Sequence, residues 1–468
     1  DKWNCNTQNS SWSWSFSNKR TVILNQFYKI KNHIIMIKNI ILLLLISQFT
    51  FSQNILDLKN RASVIKDIQK DRIENLLPKL MKETGIDMWV IITREYNEDP
   101  IIKTLLPPTW LNARRRTILV FYYDNNKIES AAISRYNFGD NIPSIWDKEK
   151  IPNQFEALYN YILKKNPKKI GLNFSENFSL VDGISKTDFE LFYNNATSEI
   201  QNKVVSAEKL GIRWIETRTE KEKNIYTQLI SITHNIIKEA FSTNVIKPGV
   251  TTTEDVVWWM RERVLELNLK TWFHPTIDVQ RNKESDLYAF DGKSKYDIIQ
   301  PGDLVHCDFG ITYLTLNTDC QQIAYVLKND EEDAPKFLSN ALNEANRLQD
   351  IFTNQFGLNK TGNEILKTSL NLAIKEGLNP QIYTHPLGTF GHSAGTTLGM
   401  WDSQKGVPFN GEIPMSFDTV YAIELNNKTY IENWKKEIRI MLEEAGIFEK
   451  NGFRYVNGRQ KKIILIGK

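Results

Sequence analysis

The chain has 468 residues and a formal net charge of +4, with 41% apolar and 24% charged residues. This length allows two or three domains, and the composition is typical of a soluble globular protein. The small net charge and the scattered lysines argue against nucleic acid as a partner. Three cysteines without a CxxC motif exclude a disulfide framework and a zinc ribbon.

The first 52 residues predict an export signal rather than a folded domain. Residues 1–35 have no helical or strand period, which favours a mis-assigned start upstream of Met36. From Met36 onward, a lysine precedes seven apolar residues at 40–46, and the small residues Thr50 and Ser52 follow. We expect a signal peptide cleaved after Ser52 and an exported protein, periplasmic or extracellular. The alternative is a membrane anchor, but a spanning helix needs about 20 apolar residues, so no stable anchor is expected.

Residues 53–215 predict an α/β amino-terminal domain. Apolar residues recur there at three- and four-residue steps in some segments and form short continuous runs in others. The predicted helices cover 57–84 and 154–165, and the predicted strands cover 86–92, 117–123, 128–133 and 169–173. Strands that alternate with helices indicate an α/β layer structure.

Residues 216–468 predict an α+β domain with antiparallel strands. A long amphipathic helix over 219–244 opens it, and a second helix over 254–267 follows a threonine cap at Thr251 or Thr252. Further helices are predicted at 336–356 and 362–376, and strands at 304–309, 311–316, 322–326, 419–425 and 463–466. The boundary between the two domains is expected near residue 216.

Five polar residues of the second domain have the types and positions of a metal site. His385 and His392 are two of only six histidines and lie in one eight-residue segment. Asp308 and Asp319 fall on neighbouring predicted strands, where two carboxylates repel unless a divalent cation lies between them. Glu424 lies inside an apolar strand, which rarely tolerates a carboxylate without a partner. Each residue alone fits a surface or structural position, whereas together they predict a cation.

These residues and their spacing resemble the signature of the pita-bread metallopeptidases, family M24. That family includes methionine aminopeptidase, prolidase and Xaa-Pro aminopeptidase. The residues that carry the resemblance are the segment 302–310 with Asp308, then Asp319, His385, His392 and Glu424. The amino-terminal domain is similar to that of creatinase and prolidase, which favours the Xaa-Pro aminopeptidase and prolidase branch. The resemblance covers about 57–468 and implies an α/β amino-terminal domain followed by an α+β pita-bread catalytic domain.

The resemblance also implies a role for each residue. Asp308 would chelate one metal and Asp319 would bridge two, while His385 and Glu424 would complete the other metal's shell. His392 would contact the substrate and steady developing negative charge, so His392 and Glu424 are the predicted catalytic residues. A carboxylate-rich shell with one imidazole suits Mn²⁺ best, with Co²⁺ or Zn²⁺ as alternatives.

One ligand of the family has no evident counterpart in the sequence. The family carries a second bridging glutamate on its last strand, usually just after an arginine, and this chain offers Arg459 followed by Gln460. Gln460 is the predicted fifth metal ligand, although alignment by the arginine can place Lys461 there. Arg459 is a predicted substrate-binding residue. A glutamine carbonyl binds metal weakly and a lysine repels it, so we expect weakened binding of one or two ions.

His274 is the second predicted substrate-binding residue. Many relatives have a histidine upstream of the first aspartate, where this chain reads Phe-Asp-Gly at 290–292. His274 is available to take that place from another strand. The alternative is a half-buried structural histidine before Pro275.

Cys307 and Cys320 offer a separate hypothesis. If Asp308 and Asp319 face each other across an antiparallel ladder, the two cysteines also face each other on the opposite side of the sheet. In an oxidising compartment we then expect a cross-strand disulfide, which needs Cα atoms within about 7 Å. The alternative is two buried cysteines in a core.

The predicted function is a metal-dependent exopeptidase that removes an N-terminal residue preceding proline by means of a metal-activated water. Its partner would be a peptide with proline in second position, and homodimers are common in the branch that the chain resembles. One alternative is a creatinase-like, non-peptidase hydrolase of the same fold, which works without metal. Another is an inactive pita-bread protein that binds peptides. The missing glutamate favours both alternatives, and the five matching residues favour the peptidase.

Overall fold

The computed structural model describes residues 55–282 and 297–467. From Asp57 onward the chain forms one compact unit. The predicted signal peptide and the segment 290–292 lie outside the described residues. Within the described ranges, no helix is both long and apolar enough to cross a membrane.

A helical segment opens the described chain, as predicted. Its parts are α1 (Leu58–Asp71), a π-helical turn (Arg72–Leu76) and α2 (Leu77–Thr84). Asp57 caps the first turn by accepting a hydrogen bond from the Asn60 amide. Gly85, at φ 68°, ends the helix in the left-handed conformation that a glycine adopts without steric cost.

A five-stranded mixed sheet follows. Its strands are β1 (Met88–Arg94), β2 (Arg116–Asp124), β3 (Lys127–Ile133), β4 (Ile170–Leu172) and β5 (Val204–Ser206). They run in the order β3-β2-β1-β4-β5, with β3, β2 and β1 antiparallel and β4 and β5 parallel to β1. Trp89 packs into one core and Val90 into another, because alternate residues of β1 face opposite sides.

Four helices accompany this sheet and confirm the predicted α/β pattern. They are α3 (Gln154–Lys165), α4 (Lys186–Asn195), α5 (Ser198–Gln201) and α6 (Glu208–Glu216). The sequence predicted α3 with its exact bounds, but it did not predict α4 to α6 or β5. The domain boundary near residue 216 stays a prediction, since α6 ends there inside one compact unit.

The second half contains four long helices: α7 (Glu220–Ala240), α8 (Thr253–Glu266), α9 (Lys336–Thr353) and α10 (Gly362–Lys375). Three of them, α7, α8 and α10, begin with a capping box. The threonine before each helix accepts a hydrogen bond from the third helical amide, and the acidic residue there bonds back. All four were predicted, and Thr252 rather than Thr251 caps α8.

The second half is built on a nine-stranded sheet. Its strands are β6 (Thr276–Gln280), β7 (Leu304–Phe309), β10 (Cys320–Val326), β11 (Pro380–Ile382), β12 (His385–Leu387), β13 (Thr419–Ile431), β14 (Lys436–Glu449), β15 (Gly452–Tyr455) and β16 (Ile464–Ile466). The main order is β11-β13-β14-β10-β7-β6, and β12, β15 and β16 pair with β13, β14 and β10. A separate hairpin of β8 (Thr312–Tyr313) and β9 (Leu316–Asn317) joins β7 to β10.

The longest strand, β14, was not predicted. All of its 14 residues except Glu449 pair with β13, and β13 itself continues to Ile431 instead of ending at 425. Alternating apolar residues such as Ile438 and Ile440 are fully buried. The adjacent pair Glu443 and Glu444 interrupts this alternation, so the segment does not read as a strand by hydropathy alone.

The predicted cysteine pairing is wrong. Leu314 and Thr315 both have positive φ and form the two-residue turn between β8 and β9. This turn fixes a register in which Cys320 lies opposite Phe309 and Cys307 lies opposite Gln322. The assumed pairing was therefore two residues out of register, and both cysteines are free and buried.

Candidate active site

Four polar residues lie on one rung of the nine-stranded sheet. Asp308 on β7 is opposite Gln321 on β10, and Gln321 is opposite Glu443 on β14. Glu443 is in turn opposite Glu424 on β13. Residues that face each other across a ladder point to the same side of the sheet, so three carboxylates and one amide converge there. Asp319 precedes Gln321 by two residues and therefore joins the same face.

His385 completes the group from β12, which pairs with β13 so that His385 lies opposite Ala422. Its Nε2 atom is 3.8 Å from Asp319 Oδ2, 4.0 Å from Glu424 Oε2 and 3.8 Å from Glu443 Oε1. Its Nδ1 atom lies 3.0 Å from the carbonyl oxygen of Pro386, so Nδ1 carries the proton that it donates there. Nε2 then presents a lone pair to the carboxylates, which is the tautomer of a metal ligand.

Burial and mutual repulsion disfavour negative charge on the carboxylates of this cluster. Burial raises the pKa of Asp308 to about 6. Burial, and then the neighbouring carboxylates, raise the pKa values of Asp319, Glu424 and Glu443 well above their usual range. Burial and the neighbouring His392 lower the pKa of His385 to about 3, so its imidazole is neutral. A cation among these groups would lower the carboxylate pKa values again.

Four buried atoms of the cluster have no hydrogen-bond partner within the described part of the chain. They are Asp308 Oδ1, Asp319 Oδ1, His385 Nε2 and Glu443 Oε1. The ligand atoms of Asp308, Asp319 and Glu443 lie within 4.8 Å of one another, as do those of His385, Glu424 and Glu443. Buried polar atoms are rarely left unpaired, and oxygen and imidazole donors suit divalent cations. The five side chains therefore fit one or two divalent metal ions.

Gln321 supports the carboxylates from within the same rung. Its Nε2 donates to Glu424 Oε1 at 2.6 Å and to Glu443 Oε2 at 3.1 Å. Its Oε1 lies 3.0 Å from His306 Nε2, which donates to it. His306 Nδ1 is 3.5 Å from Asp278 Oδ2. Because the histidine fixes which end of the amide faces the glutamates, Gln321 orients both of them.

A cavity of about 570 Å³ opens above this cluster. Asp308, Asp319, His385 and Glu424 form its floor, and residues 177–180 after β4 contribute to its wall. Five residues of the wall are aromatic: Phe178, Trp272, Phe273, Tyr383 and Trp401. An apolar cavity with a few convergent polar groups is the usual form of a small-molecule or peptide site.

His392 lies between the metal-ligand cluster and the aromatic wall. Its ring centroid is 4.7 Å from that of His385 and 5.3 Å from that of Trp272. Trp272 is held by the hydrogen bond from its Nε1 to the Thr318 carbonyl oxygen. Its ring approaches Gly391 so closely that a Cβ there would lie 2.3 Å away. The absence of a side chain at Gly391 therefore sets the position of Trp272 beside His392.

Residues 225–447 match the sequence model of Metallopeptidase family M24. The second half of the chain therefore carries a segment similar to family M24. A comparison with curated proteins finds no match. Solved structures with the same fold include X-Pro aminopeptidase from Thermotoga maritima, with a TM-score of 0.58 at 14% identity over 83% of this chain and 99% of that one. Xaa-Pro dipeptidase from Bacillus anthracis has a TM-score of 0.53 at 14% identity, over 87% and 100%. Prolidase from Pyrococcus horikoshii has a TM-score of 0.51 at 15% identity, over 83% and 98%.

These likenesses confirm the predicted pita-bread fold. The M24 match spans α7 to β14 and contains every residue of the convergent cluster. Five predicted site residues, Asp308, Asp319, His385, His392 and Glu424, do come together in the structure.

The structure does not place Gln460 in the cluster as the predicted fifth ligand, and Glu443 lies there instead. Gln460 Oε1 accepts from the Ile323 amide, and its Nε2 donates to the carbonyl oxygens of Ile323 and Lys462. The side chain thus bonds to the β10 backbone instead of facing the carboxylates. Lys461 is exposed. The expected weakening of metal binding loses its basis, because the carboxylate set is complete.

Arg459 and His274 are also placed away from the cavity. Arg459 forms an ion pair with Asp350 on α9 at 2.8 Å and donates to the Asn346 carbonyl oxygen. His274 is exposed, with its Nδ1 3.1 Å from Arg261 Nη1. Its ring packs against Trp258. Neither lines the cavity, whereas Trp272 and Phe273, the residues just before His274, do.

Proposed function

We propose that this protein is a metal-dependent exopeptidase that removes an N-terminal residue preceding proline. The observation that carries the proposal is the convergence of five ligand-type side chains, four of which form the floor of an aromatic cavity, with unpaired buried atoms among the described residues. The solved structures of the same fold are named as X-Pro aminopeptidase, Xaa-Pro dipeptidase and prolidase. That naming supports the same substrate class here.

Asp308, Asp319, His385, Glu424 and Glu443 would hold the metal. Divalent cations bound there would polarise a substrate carbonyl and lower the pKa of a water molecule, and Mn²⁺ suits a shell of four carboxylates and one imidazole. Glu424, with Oε1 held by Gln321, has Oε2 on the side of His385 and could take up a proton from the water. His392 can donate a hydrogen bond to the substrate carbonyl oxygen as charge develops on it.

The shape of the cavity favours proline and short peptides. A volume of about 570 Å³ holds only a few residues. A proline ring is apolar and its nitrogen carries no hydrogen to satisfy, so walls such as Trp272, Phe273 and Tyr383 can cover it without a polar partner. Homodimerisation and export to the periplasm or the medium stay predictions from the sequence.

The two alternative functions lose their main support. Both the creatinase-like hydrolase and the inactive peptide-binding protein were favoured by a missing carboxylate. Glu443 supplies that carboxylate at the centre of the cluster. A site that had lost its metal would not be expected to keep four buried carboxylates that repel one another.

Hydrolysis of Ala-Pro-Ala, compared with Ala-Ala-Ala, tests the proposal. We expect release of the first alanine only from the proline peptide. The release should stop after chelation and return with Mn²⁺. The Asp319→Asn variant should be inactive under every condition. Cleavage that survives chelation and this substitution would contradict the metal mechanism, and equal cleavage of both peptides would contradict the proline specificity.

A further inference from the structure

The face of the nine-stranded sheet behind the catalytic cluster carries a second group of ligand-type side chains. Neighbouring residues of a strand point to opposite faces, so Cys320 lies behind Asp319 and Glu444 lies behind Glu443. Helix α7 packs against this reverse face through contacts with β7 and β10. His234 of α7 reaches the two strand residues from the helix side.

The three side chains offer one nitrogen, one sulfur and one oxygen to a common point. The ligand atoms of His234, Cys320 and Glu444 all lie within 4.8 Å of one another. His234 Nε2 is 2.6 Å from Glu444 Oε2. Ligand atoms bound to one Zn²⁺ are about 2.0–2.3 Å from the metal, so small side-chain movements would admit an ion among them.

Neighbouring amides hold two of these groups in position. Gln322 Nε2 donates to Glu444 Oε1 at 3.0 Å and leaves Oε2 turned toward His234 and Cys320. The Asn457 side chain lies 3.4 Å from His234 Nδ1, where either end of its amide can face the ring. Such supporting hydrogen bonds are typical of the groups that orient metal ligands.

The depth and composition of the group fit a structural cation. Cys320 and Glu444 are buried, and the His234 side chain is 19% exposed, so solvent can supply a fourth ligand only from the helix side. A mixed set of thiol, imidazole and carboxylate suits Zn²⁺ better than the oxygen-rich catalytic set does. An ion there would join α7 to β10 and β14.

We propose that His234, Cys320 and Glu444 form a third metal site, selective for zinc, that fastens helix α7 to the sheet behind the catalytic centre. The site is built from residues that the peptidase mechanism does not use. Its test therefore does not depend on the proposed function, because binding is read from metal content and from the thiolate rather than from peptide cleavage.

Cobalt substitution reads the thiolate directly. The catalytic set contains no sulfur, so an ultraviolet thiolate-to-cobalt charge-transfer band from the full-length protein can arise only from a cysteine. We expect this band in the wild type and its loss in Cys320→Ser. Cys307→Ser is the matched control, since Cys307 is equally buried on the adjacent strand but contacts Met260 at 3.9 Å and lies outside the group. Cys5→Ser should also keep the band.

Zinc content gives a second readout that does not require a cysteine variant to fold. After loading with Zn²⁺ and removal of the excess, Glu444→Gln and His234→Ala should each hold one zinc equivalent fewer than the wild type. The absence of the band in the wild type, its survival in Cys320→Ser, or unchanged zinc content in both other variants would overturn the proposal. In that case the group is an ion pair of His234 and Glu444 beside a buried thiol.

Discussion

The two faces of the nine-stranded sheet place similar residues in different surroundings. Glu443 and Glu444 are consecutive and almost fully buried. Glu444 has Gln322 on one carboxylate oxygen and His234 on the other, whereas Glu443 keeps one oxygen unpaired and faces three further carboxylates. Burial alone therefore does not mark a catalytic carboxylate. The difference lies in whether neighbouring side chains pair with both carboxylate oxygens. Among the described residues they do so for Glu444, but they leave Glu443 Oε1 without a partner.

Removing the Glu443 carboxylate should have the largest effect. We expect Glu443→Gln to lower kcat/KM for Ala-Pro-Ala by more than about 100-fold, since even outer-shell partners of a metal typically contribute 10- to 100-fold. The metal-free variant should be at least as stable as the wild type, because the substitution removes a buried charge that burial and Asp319 disfavour. Peptide kinetics and thermal unfolding without metal check both expectations.

Gln460 provides the matched control for that experiment. Gln460→Ala should keep metal binding and lose stability by about 1–3 kcal/mol, because it leaves the amide and carbonyl of Ile323 unpaired. If Gln460→Ala lost the metal and Glu443→Gln still bound it, Gln460 rather than Glu443 would be the fifth metal ligand.

Removing the Gln321 side-chain amide should have the next largest effect, on metal affinity. We expect Gln321→Leu to weaken metal binding roughly 10- to 100-fold, because Glu424 and Glu443 both lose the amide that orients them. Gln321→Asn should recover part of the affinity. Competition with a chromophoric chelator measures the metal affinity. An unchanged affinity in Gln321→Leu would show that strand pairing alone positions the two glutamates.

The cavity wall allows a smaller test. Gly391→Ala should displace Trp272, because the added Cβ would lie 2.3 Å from its ring. Overpacking of this kind costs about 1–3 kcal/mol, which corresponds to a fall of roughly 5- to 150-fold in kcat/KM if it all acts on substrate binding. In a Trp272→Leu background the same substitution should have little further effect. Equal effects in both backgrounds would mean that the clash with Trp272 is not the cause.

The smallest effect that we expect is a pH-dependent change in the stability gained from metal. Asp308, Asp319, Glu424 and Glu443 have folded-state pKa values above their unfolded values. Without metal, the stability from these groups is complete below about pH 4 and is lost as pH rises, with Asp308 ionising near pH 6. We expect the Tm gained on adding Mn²⁺ to be larger at pH 8 than at pH 5 by on the order of a few degrees. An equal gain in Tm at both pH values would mean that ionisation of these carboxylates does not destabilise the metal-free protein.

The sequence was sufficient for most of the fold and for part of the site. Helices with threonine caps and strands with continuous apolar runs were predicted because their signals are local. Glu424 was recognised by its apolar strand, and the same reasoning applies to Glu443, which lies between Leu442 and the buried Ala445. The sequence does not predict Glu443 as a ligand, because β14 has no clear strand pattern and the resemblance places the second bridging glutamate just after an arginine, near the end of the chain.

Other features depend on geometry that no local pattern contains. The register of β7 and β10 depends on a two-residue turn at Leu314 and Thr315, whose positive φ values are unusual for such residues. The contribution of residues 177–180 to the cavity wall depends on long-range packing. The pairing of Gln321 with two glutamates appears only once β10, β13 and β14 are aligned side by side.

The most direct test of the central claim is an anomalous-scattering map from crystals grown with Mn²⁺. We expect anomalous peaks enclosed by Asp308, Asp319, His385 and Glu424, with a carboxylate oxygen of Glu443 bound to the metal. Gln460 should remain hydrogen-bonded to Ile323 in the same map. An empty cluster at saturating Mn²⁺, or a metal bound without Glu443, would contradict the claim that this glutamate completes the site.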